Sequence, residues 1–440
     1  MPKRIAMISE HASPLAALGG VDSGGQNIYV AQVAAHLVAA GHAVDVFTRR
    51  DREEQPAVVE VRPGMRVVHV PAGPPTFIRK EELLPCMGPF TDCMIRALRE
   101  RRYDLMHANF WMSALVAADV KRVLCLPYVI TFHALGRVRR QHQQEADAFP
   151  ACREAIEERV IREADRVIAE CPQDRDDLLT LYGADPAKIV TIPCGFDPRE
   201  LWPVPKAAAR RLLGLRQAER IILQLGRLVP RKGIDNVIQA LGVLRERHDL
   251  RATLLVVGGD SEDADPVKTP EIGRLRAVAR EAGVADQVIF TGRVDRPRLK
   301  LYYSAADVFV TTPWYEPFGI TPLEAMACGT PVIGANVGGI KYTVRDGTTG
   351  FLVPPRDPEA LADRLARCYR EPELLQRFRR AGLRRVTRRF TWRRVAAAID
   401  ALYDSVLMPA PALSLMGGWG SLRPGPWPLG EPVRGGLGAE

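Results

Sequence analysis

None of the chain's eight cysteines pairs with another in C-x-x-C spacing, which removes the usual sequence signs of a zinc site or a redox dithiol. Scattered thiols suit a reducing compartment, so a cytoplasmic location is expected. No apolar run approaches the eighteen or so residues that cross a bilayer. At the N-terminus, basic Lys3 and Arg4 precede only the short apolar run Ile5–Ser9, which stops at Glu10. That is too short for a signal peptide and reads as a first strand. The G-x-G-x-x-G spacing of dinucleotide sites is missing as well. The first strand leads instead to Gly19-Gly20-Val21-Asp22-Ser23-Gly24-Gly25-Gln26-Asn27, and the second ends Phe47-Thr48-Arg49-Arg50 without a lone acidic ribose ligand, so a nicotinamide enzyme is disfavoured. The net charge of +9 comes without aromatic–basic interleaving or a recognised module, which argues against nucleic acid. Much of the excess lies in Arg377–Arg389, read here as a solvated basic face, with peripheral membrane contact the competing but unindicated alternative.

What is present is a regular alternation of short apolar runs with longer helical stretches over 440 residues, room for two domains built on parallel sheets. Predicted strands in the first half are Ile5–Ser9, Val44–Thr48, Val67–Val70, Leu105–Ala108, Tyr128–Thr131, Val167–Ala169 and Ile189–Ile192. In the second half they are Ile221–Leu225, Thr253–Val257, Val288–Thr291, Val308–Thr311 and Val332–Ile333. The proline-rich stretches 193–198 and 202–205 read as a linker. The expected organisation is an α/β protein of two Rossmann-like, doubly wound domains, 1–195 and 206–389, facing across a cleft. A last amphipathic helix follows at 390–407, then a Pro- and Gly-rich tail, 408–440, predicted to be disordered.

The most informative segment is Glu316-Pro317-Phe318-Gly319-Ile320-Thr321-Pro322-Leu323-Glu324, between the strand Val308–Thr311 and a helix that ends at Cys328-Gly329-Thr330-Pro331. A loop at the carboxyl end of a parallel strand is where α/β proteins bind ligands, and a helix N-terminus suits phosphate. Two carboxylates beside it suit hydroxyl groups. Eight helical residues rise about 12 Å, too far for the roughly 5–5.5 Å carboxyl pair of a retaining glycosidase. A nucleotide-sugar ligand fits better; the alternative is that Glu324 is a solvated helix residue. After Ile221–Leu225 comes Gly226-Arg227-Leu228-Val229-Pro230-Arg231-Lys232-Gly233, in which Arg227 and Lys232 are placed to stabilise a departing diphosphate. Arg231 is read as a surface residue. His133 follows the strand Tyr128–Thr131, at the cleft. The triplets Asp174-Arg175-Asp176 and Asp263-Ala264-Asp265 read as solvated acidic turns rather than a metal site.

Taken in order, Gly24-Gly25-Gln26-Asn27, Phe132-His133, Gly226-Arg227 with Lys232-Gly233, and the two-glutamate segment resemble the motifs of retaining glycosyltransferases of family four, which have the GT-B fold. Asp22-Ser23-Gly24-Gly25 and His133-Ala134-Leu135-Gly136 are most similar to the branch containing sucrose-phosphate synthase, sucrose synthase and inositol-phosphate N-acetylglucosaminyltransferase. The resemblance implies that Arg227 and Lys232 hold the donor diphosphate and that Glu324 binds the ribose. It implies that Glu316, with Phe318, Gly319 and Ile320, binds the donor sugar, and that His133 lies close to the reacting carbon. Gly25 and the segment Gly292-Arg293-Val294 fall on the donor side, the latter at the base; Gln26, Asn27, Lys80 and Arg153 fall on the acceptor side. Lys80-Glu81-Glu82-Leu83 matches the context in which the inositol-phosphate branch grips an acceptor phosphate, whereas Phe110 and Ala134 replace its hydroxyl-bearing residues. The expected partners are a nucleoside-diphosphate sugar and a hydroxyl acceptor, possibly phosphorylated, with no cofactor and no metal. For Arg153 the competing reading is an ion pair with Glu157, one helical turn on. Competing functions are a GT-B nucleotide-sugar epimerase and an inactive GT-B binding scaffold. The motifs leave the sugar, the base and the oligomeric state open.

Overall fold

The computed structural model describes residues 1–16 and 24–408. The loop residues Gly19 to Ser23 and the tail beyond Met408 therefore lie outside the described residues. Two sheets organise the chain. The first contains β1 (Arg4–Ile8), β2 (Ala43–Arg49), β3 (Val58–Arg62), β4 (Met65–Val70), β5 (Leu105–Asn109), β6 (Tyr128–Thr131), β7 (Arg166–Ala169) and β8 (Ile189–Thr191), in the order β3-β4-β2-β1-β5-β6-β7-β8. The second contains β9 (Ile221–Leu225), β10 (Thr253–Val257), β11 (Val288–Gly292), β12 (Val308–Thr311), β13 (Val332–Ala335) and β14 (Gly350–Val353), in the order β11-β10-β9-β12-β13-β14. Every pairing is parallel except β3 with β4. Central strands such as Ile5–Ile8 and Leu254–Val257 are buried along their whole length, as a sheet covered by helices on both faces requires.

β3 and β14 are additions to the strands read from the sequence. β3 is an exposed edge strand whose valines, Val58, Val59 and Val61, lie largely in solvent rather than in the core. β14 opens on a glycine, against whose added Cβ the Val332 carbonyl would stand at 2.0 Å; only glycine lets the two strands approach this closely.

In each sheet the strand order reverses beside one strand, β1 in the first and β9 in the second. The crevice at the carboxyl ends there is the expected ligand position. The chain crosses between the sheets twice, side by side: Phe196 N–H donates to Phe390 O at 2.8 Å, and Trp392 N–H to Phe196 O at 3.1 Å. The second crossing carries the helix Trp392–Leu407 back onto the first half, where it packs on the helix Gly25–Ala39. The sequence predicts this helix but not its return. In the helix Pro372–Arg389, Arg377, Arg380, Arg384, Arg388 and Arg389 are exposed, whereas Arg385 caps the carbonyls of Tyr342 and Thr343.

Candidate active site

A cavity of about 300 Å³ lies between the two sheets, walled by segments that leave the carboxyl ends of their strands. From the first half come the N-terminal turn of the helix Gly25–Ala39, Phe110 after β5, His133 after β6 and Glu170 after β7. From the second come Gly226 and Arg227 after β9, Gly258 after β10, Arg293 and Val294 after β11, and Tyr315–Ile320 after β12. The two walls approach closely. A Cβ added to Gly24 would lie 3.6 Å from Arg227 Nε, and one on Gly25 3.6 Å from Ile320 Cδ1. Across the cleft Gln143 bonds the Tyr315 hydroxyl, His142 stacks on the Tyr315 ring at 5.0 Å, and Lys341 Nζ donates to Gln173 Oε1 at 2.6 Å.

Glu316 and Glu324, side by side in sequence logic, have separate partners. Glu316 pairs with Lys232, and Arg231 Nη1 stands 3.9 Å from the same carboxylate. Burial alone would raise the Glu316 carboxyl, but Lys232, Arg231 and Arg227 outweigh it and hold it below its usual range. The reverse applies to Lys232: burial pulls the ammonium down to about 8 against the attraction of Glu316, with Arg231 and Arg227 adding to the depression. Glu324, in the helix Ile320–Ala327, is 2% exposed. Its Oε1 accepts from Arg296 Nη1 at 3.0 Å and its Oε2 from Tyr303 OH at 2.8 Å, which rules out a solvated helix residue. Gly319, at φ +83°, turns the chain into this helix, and Gly338 lets the neighbouring loop pass so close that a Cβ would meet Glu316 O at 1.9 Å.

His133 sits at φ +59° and Phe110 at φ +88°, both lining the cavity after adjacent parallel strands. Positive φ is uncommon for non-glycine residues, and such conformations cluster at functional sites. His133 Nδ1 is 3.1 Å from Glu170 Oε1, its Nε2 is 3.1 Å from Asn109 Oδ1, and Tyr29 packs edge-on against its ring at 4.7 Å. Glu170, which sequence reading missed, also accepts from Cys194 Sγ at 3.0 Å. Its one sequence signal was its place directly after β7.

Among the residues expected on the acceptor side, Lys80 lines the cavity at the start of a short 3-10 turn. Gln26 lines it while donating to Ser9 Oγ and to Asn109 O, each at 3.2 Å. Asn27 is buried with its amide committed locally: Oδ1 accepts from Gly24 N–H and Nδ2 donates to Ser13 O, each at 2.9 Å. It shapes the loop. Arg153 is 2% exposed and takes the competing ion pair, Nε to Glu157 Oε1 at 2.8 Å, with Nη2 donating to Ala134 O at 2.6 Å. Phe149, Phe110 and Trp111 box its guanidinium at 4.5, 5.2 and 5.7 Å. Yet it borders the cavity, and its buried Nη1 has no hydrogen-bond partner among the described residues.

Three readings need correction. Arg231 is no surface residue: it lies in the cavity wall over the Tyr315 ring at 5.2 Å. Gly292 does not line the cavity; its carbonyl accepts from Gly258 N–H at 3.0 Å, and a Cβ there would meet Glu262 O at 2.0 Å. Asp174 is not a solvated turn residue but a half-buried one in the first turn of the helix Pro172–Tyr182. The described residues contain no cluster of three or more His, Cys, Asp or Glu side chains placed to hold a metal ion.

Two facing Rossmann-like domains, with a cleft at their strand ends lined by cations and carboxylates, define a GT-B glycosyltransferase. Residues 23–200 match the family described as Glycosyltransferase Family 4, and residues 206–385 match Glycosyl transferases group 1. The chain is 38% identical to D-inositol 3-phosphate glycosyltransferase of Actinosynnema mirum, over 91% of this chain and 97% of the relative. It is 36% identical to the enzyme of the same name from Geodermatophilus obscurus, over 98% and 95%. Among solved structures, sucrose-phosphate synthase from Thermosynechococcus elongatus superposes with a TM-score of 0.85 at 36% identity, covering 92% of this chain and 99% of that one. The chain belongs to the family 4, group 1 glycosyltransferases, and it is a glycosyltransferase.

Proposed function

We propose that the protein transfers a sugar, with retention of configuration, from a nucleoside-diphosphate sugar to a hydroxyl of a phosphate-bearing acceptor of the inositol phosphate or sugar phosphate class. The observation that carries this reading is the charge of the cavity. Eight Lys and Arg side chains line it (Lys80, Arg139, Arg153, Arg227, Arg231, Lys232, Arg293 and Arg296) against three carboxylates, Glu170, Glu316 and Glu324. Some of these cations are paired behind the wall, Arg153 with Glu157, Arg139 with Asp147 and Arg296 with Glu200, but the lining face remains cationic and suits anionic ligands. A second anion on the acceptor would give a partner to the buried Nη1 of Arg153, which has none among the described residues; Lys80 lines the same cavity. Relatives at 36–38% identity are named for a phosphorylated inositol, which supports the same class.

In this reading Arg227 and Lys232 stabilise the charge that develops on the diphosphate as the sugar C1–O bond breaks. Glu324 binds the ribose, and Glu316 with Phe318, Gly319 and Ile320 binds the sugar beside His133. The acceptor oxygen attacks C1 from the face the diphosphate leaves, and its proton passes to the departing phosphate oxygen. No side-chain base is required.

The test is transfer from UDP-, GDP- and ADP-sugars to inositol phosphates, sugar phosphates and their dephosphorylated counterparts, with product anomers assigned by NMR. Preference for the phosphorylated acceptors, an at least tenfold rise in acceptor KM for Lys80→Ala and an unchanged donor KM are expected. Equal use of phosphorylated and dephosphorylated acceptors would remove the acceptor assignment. An epimerised sugar formed from donor alone would point to an epimerase, and absence of any nucleotide-sugar binding to a scaffold.

A further inference from the structure

Glu324 is gripped by a residue that no motif reading picks out. Arg296 opens the helix Arg296–Ala305, three residues beyond Arg293, and lines the cavity. Its guanidinium reaches in three directions. Nε donates to Glu200 Oε2 at 2.6 Å, Nη1 donates to Glu324 Oε1 at 3.0 Å, and Nη2 is buried with no hydrogen-bond partner among the described residues. A buried donor left unpaired costs about 1–3 kcal/mol, and a planar fork cannot turn one arm away without losing the others. Glu324 itself is fixed from both sides, since Tyr303 donates to its second oxygen; burial, and after it the nearby carboxylate, keep that phenol protonated. Each carboxylate oxygen retains a lone-pair direction for a ligand hydroxyl. Glu200, just past the first crossing between the sheets, also accepts from Gln32 at 3.0 Å, on the helix whose first turn forms the opposite cavity wall.

We propose that Arg296 is a donor-binding residue, its Nη2 donating to a ribose or base oxygen of the nucleoside half while its other arms fix Glu324 and Glu200. This rests on the reading of Glu324 as a ribose ligand. If Arg296 only compensated the charges of Glu324 and Glu200, lysine would serve equally well, because an ammonium supplies the charge without the fork.

The experiment is calorimetric titration of the full chain with UDP, GDP and ADP, alongside donor and acceptor KM and thermal unfolding, for the wild type, Arg296→Lys and Glu200→Gln. Glu200 does not line the cavity, so its variant removes the charge on the second arm alone, leaving an amide oxygen to accept from Nε. Wild type is expected to bind one diphosphate. Arg296→Lys should weaken that binding and raise donor KM at least tenfold, with acceptor KM unchanged, and Glu200→Gln should stay within about threefold. Wild-type affinity in Arg296→Lys, or an equal loss in Glu200→Gln, overturns the proposal. Failure of the wild type to bind any of the three would instead remove the donor-site reading beneath it. Should Arg296→Lys unfold, Arg296→Gln, planar and able to donate to Glu324, replaces it with the same outcomes.

Discussion

The pair Lys232–Glu316 shows how a buried charge is held close to its neutral form. Removing an ammonium from water lowers its proton affinity, and the carboxylate opposite restores part of it, leaving Lys232 at about 8. In the proposed donor complex, a bound diphosphate would add negative charge beside the same group and raise its affinity for the proton. Between the free and bound values, binding therefore takes up a proton, and nucleotide affinity falls as pH rises above about 8, approaching tenfold per pH unit. Titrations from pH 6 to 10 should show a plateau followed by this decline. Lys232→Arg, always charged, should extend the plateau. Glu316→Gln removes the carboxylate that favours the charged lysine, so its break should move to lower pH. A wild-type profile flat to pH 10 would show that Lys232 does not contact the phosphates.

At the scale of an element, the helix Pro172–Tyr182 carries a carboxyl whose environment works against ionisation. Burial comes first, then the charges of Glu170 and Asp177, and together they lift Asp174 to about 8 although its carboxylate accepts from Glu170 N–H at 2.9 Å. Its folded value lies above its unfolded one, so the stability it contributes is present at acid pH and is lost as pH rises from about 4 through 8. Asp174→Asn keeps an acceptor for the Glu170 amide without the charge. Its melting temperature should exceed that of the wild type at pH 8, with the gap closing toward pH 4; an equal gap at both pH values contradicts the assignment. The sequence hid this residue behind its neighbours, since Asp-x-Asp in a polar stretch looks solvated until burial is known. The strands were legible because parallel sheets demand runs of apolar residues, as in Ile5–Ile8, and the site loops because they must follow those strands. Arg296, Glu170 and Arg231 were not legible. Each is defined by partners far away in the chain, Glu200 and Glu324, His133, and Tyr315, and no local spacing encodes such meetings. Arg153 shows the opposite case: its helical-turn spacing from Glu157 was readable, and the ion pair follows from it.

Across the whole molecule, the helix Trp392–Leu407 lies at the C-terminal end of the described chain and yet completes the first half. Trp392, Val395, Ile399 and Tyr403 are buried, and Trp392 packs edge-on against Tyr29 at 5.8 Å, the ring that also supports His133. Beneath them His107 is fully enclosed, with Nδ1 2.7 Å from Tyr403 OH and Nε2 2.9 Å from Thr131 Oγ1. Burial, and then the proximity of His133, pull its value down to about 3, so the ring stays neutral. That value is depressed relative to the unfolded chain, where histidine takes a proton near 6.5. Stability from this group is therefore complete above about 6.5 and is lost as pH falls toward 3. Tyr403→Phe preserves shape but leaves His107 Nδ1 without its partner, a buried polar atom that costs about 1–3 kcal/mol. Chemical denaturation at pH 7 should show a loss of that size, with kcat at saturating substrates close to wild type because the active-site groups keep their places. A variant as stable as wild type would mean that the His107–Tyr403 contact contributes nothing to anchoring the returning helix, whose hold on the first half would then rest on its apolar face alone.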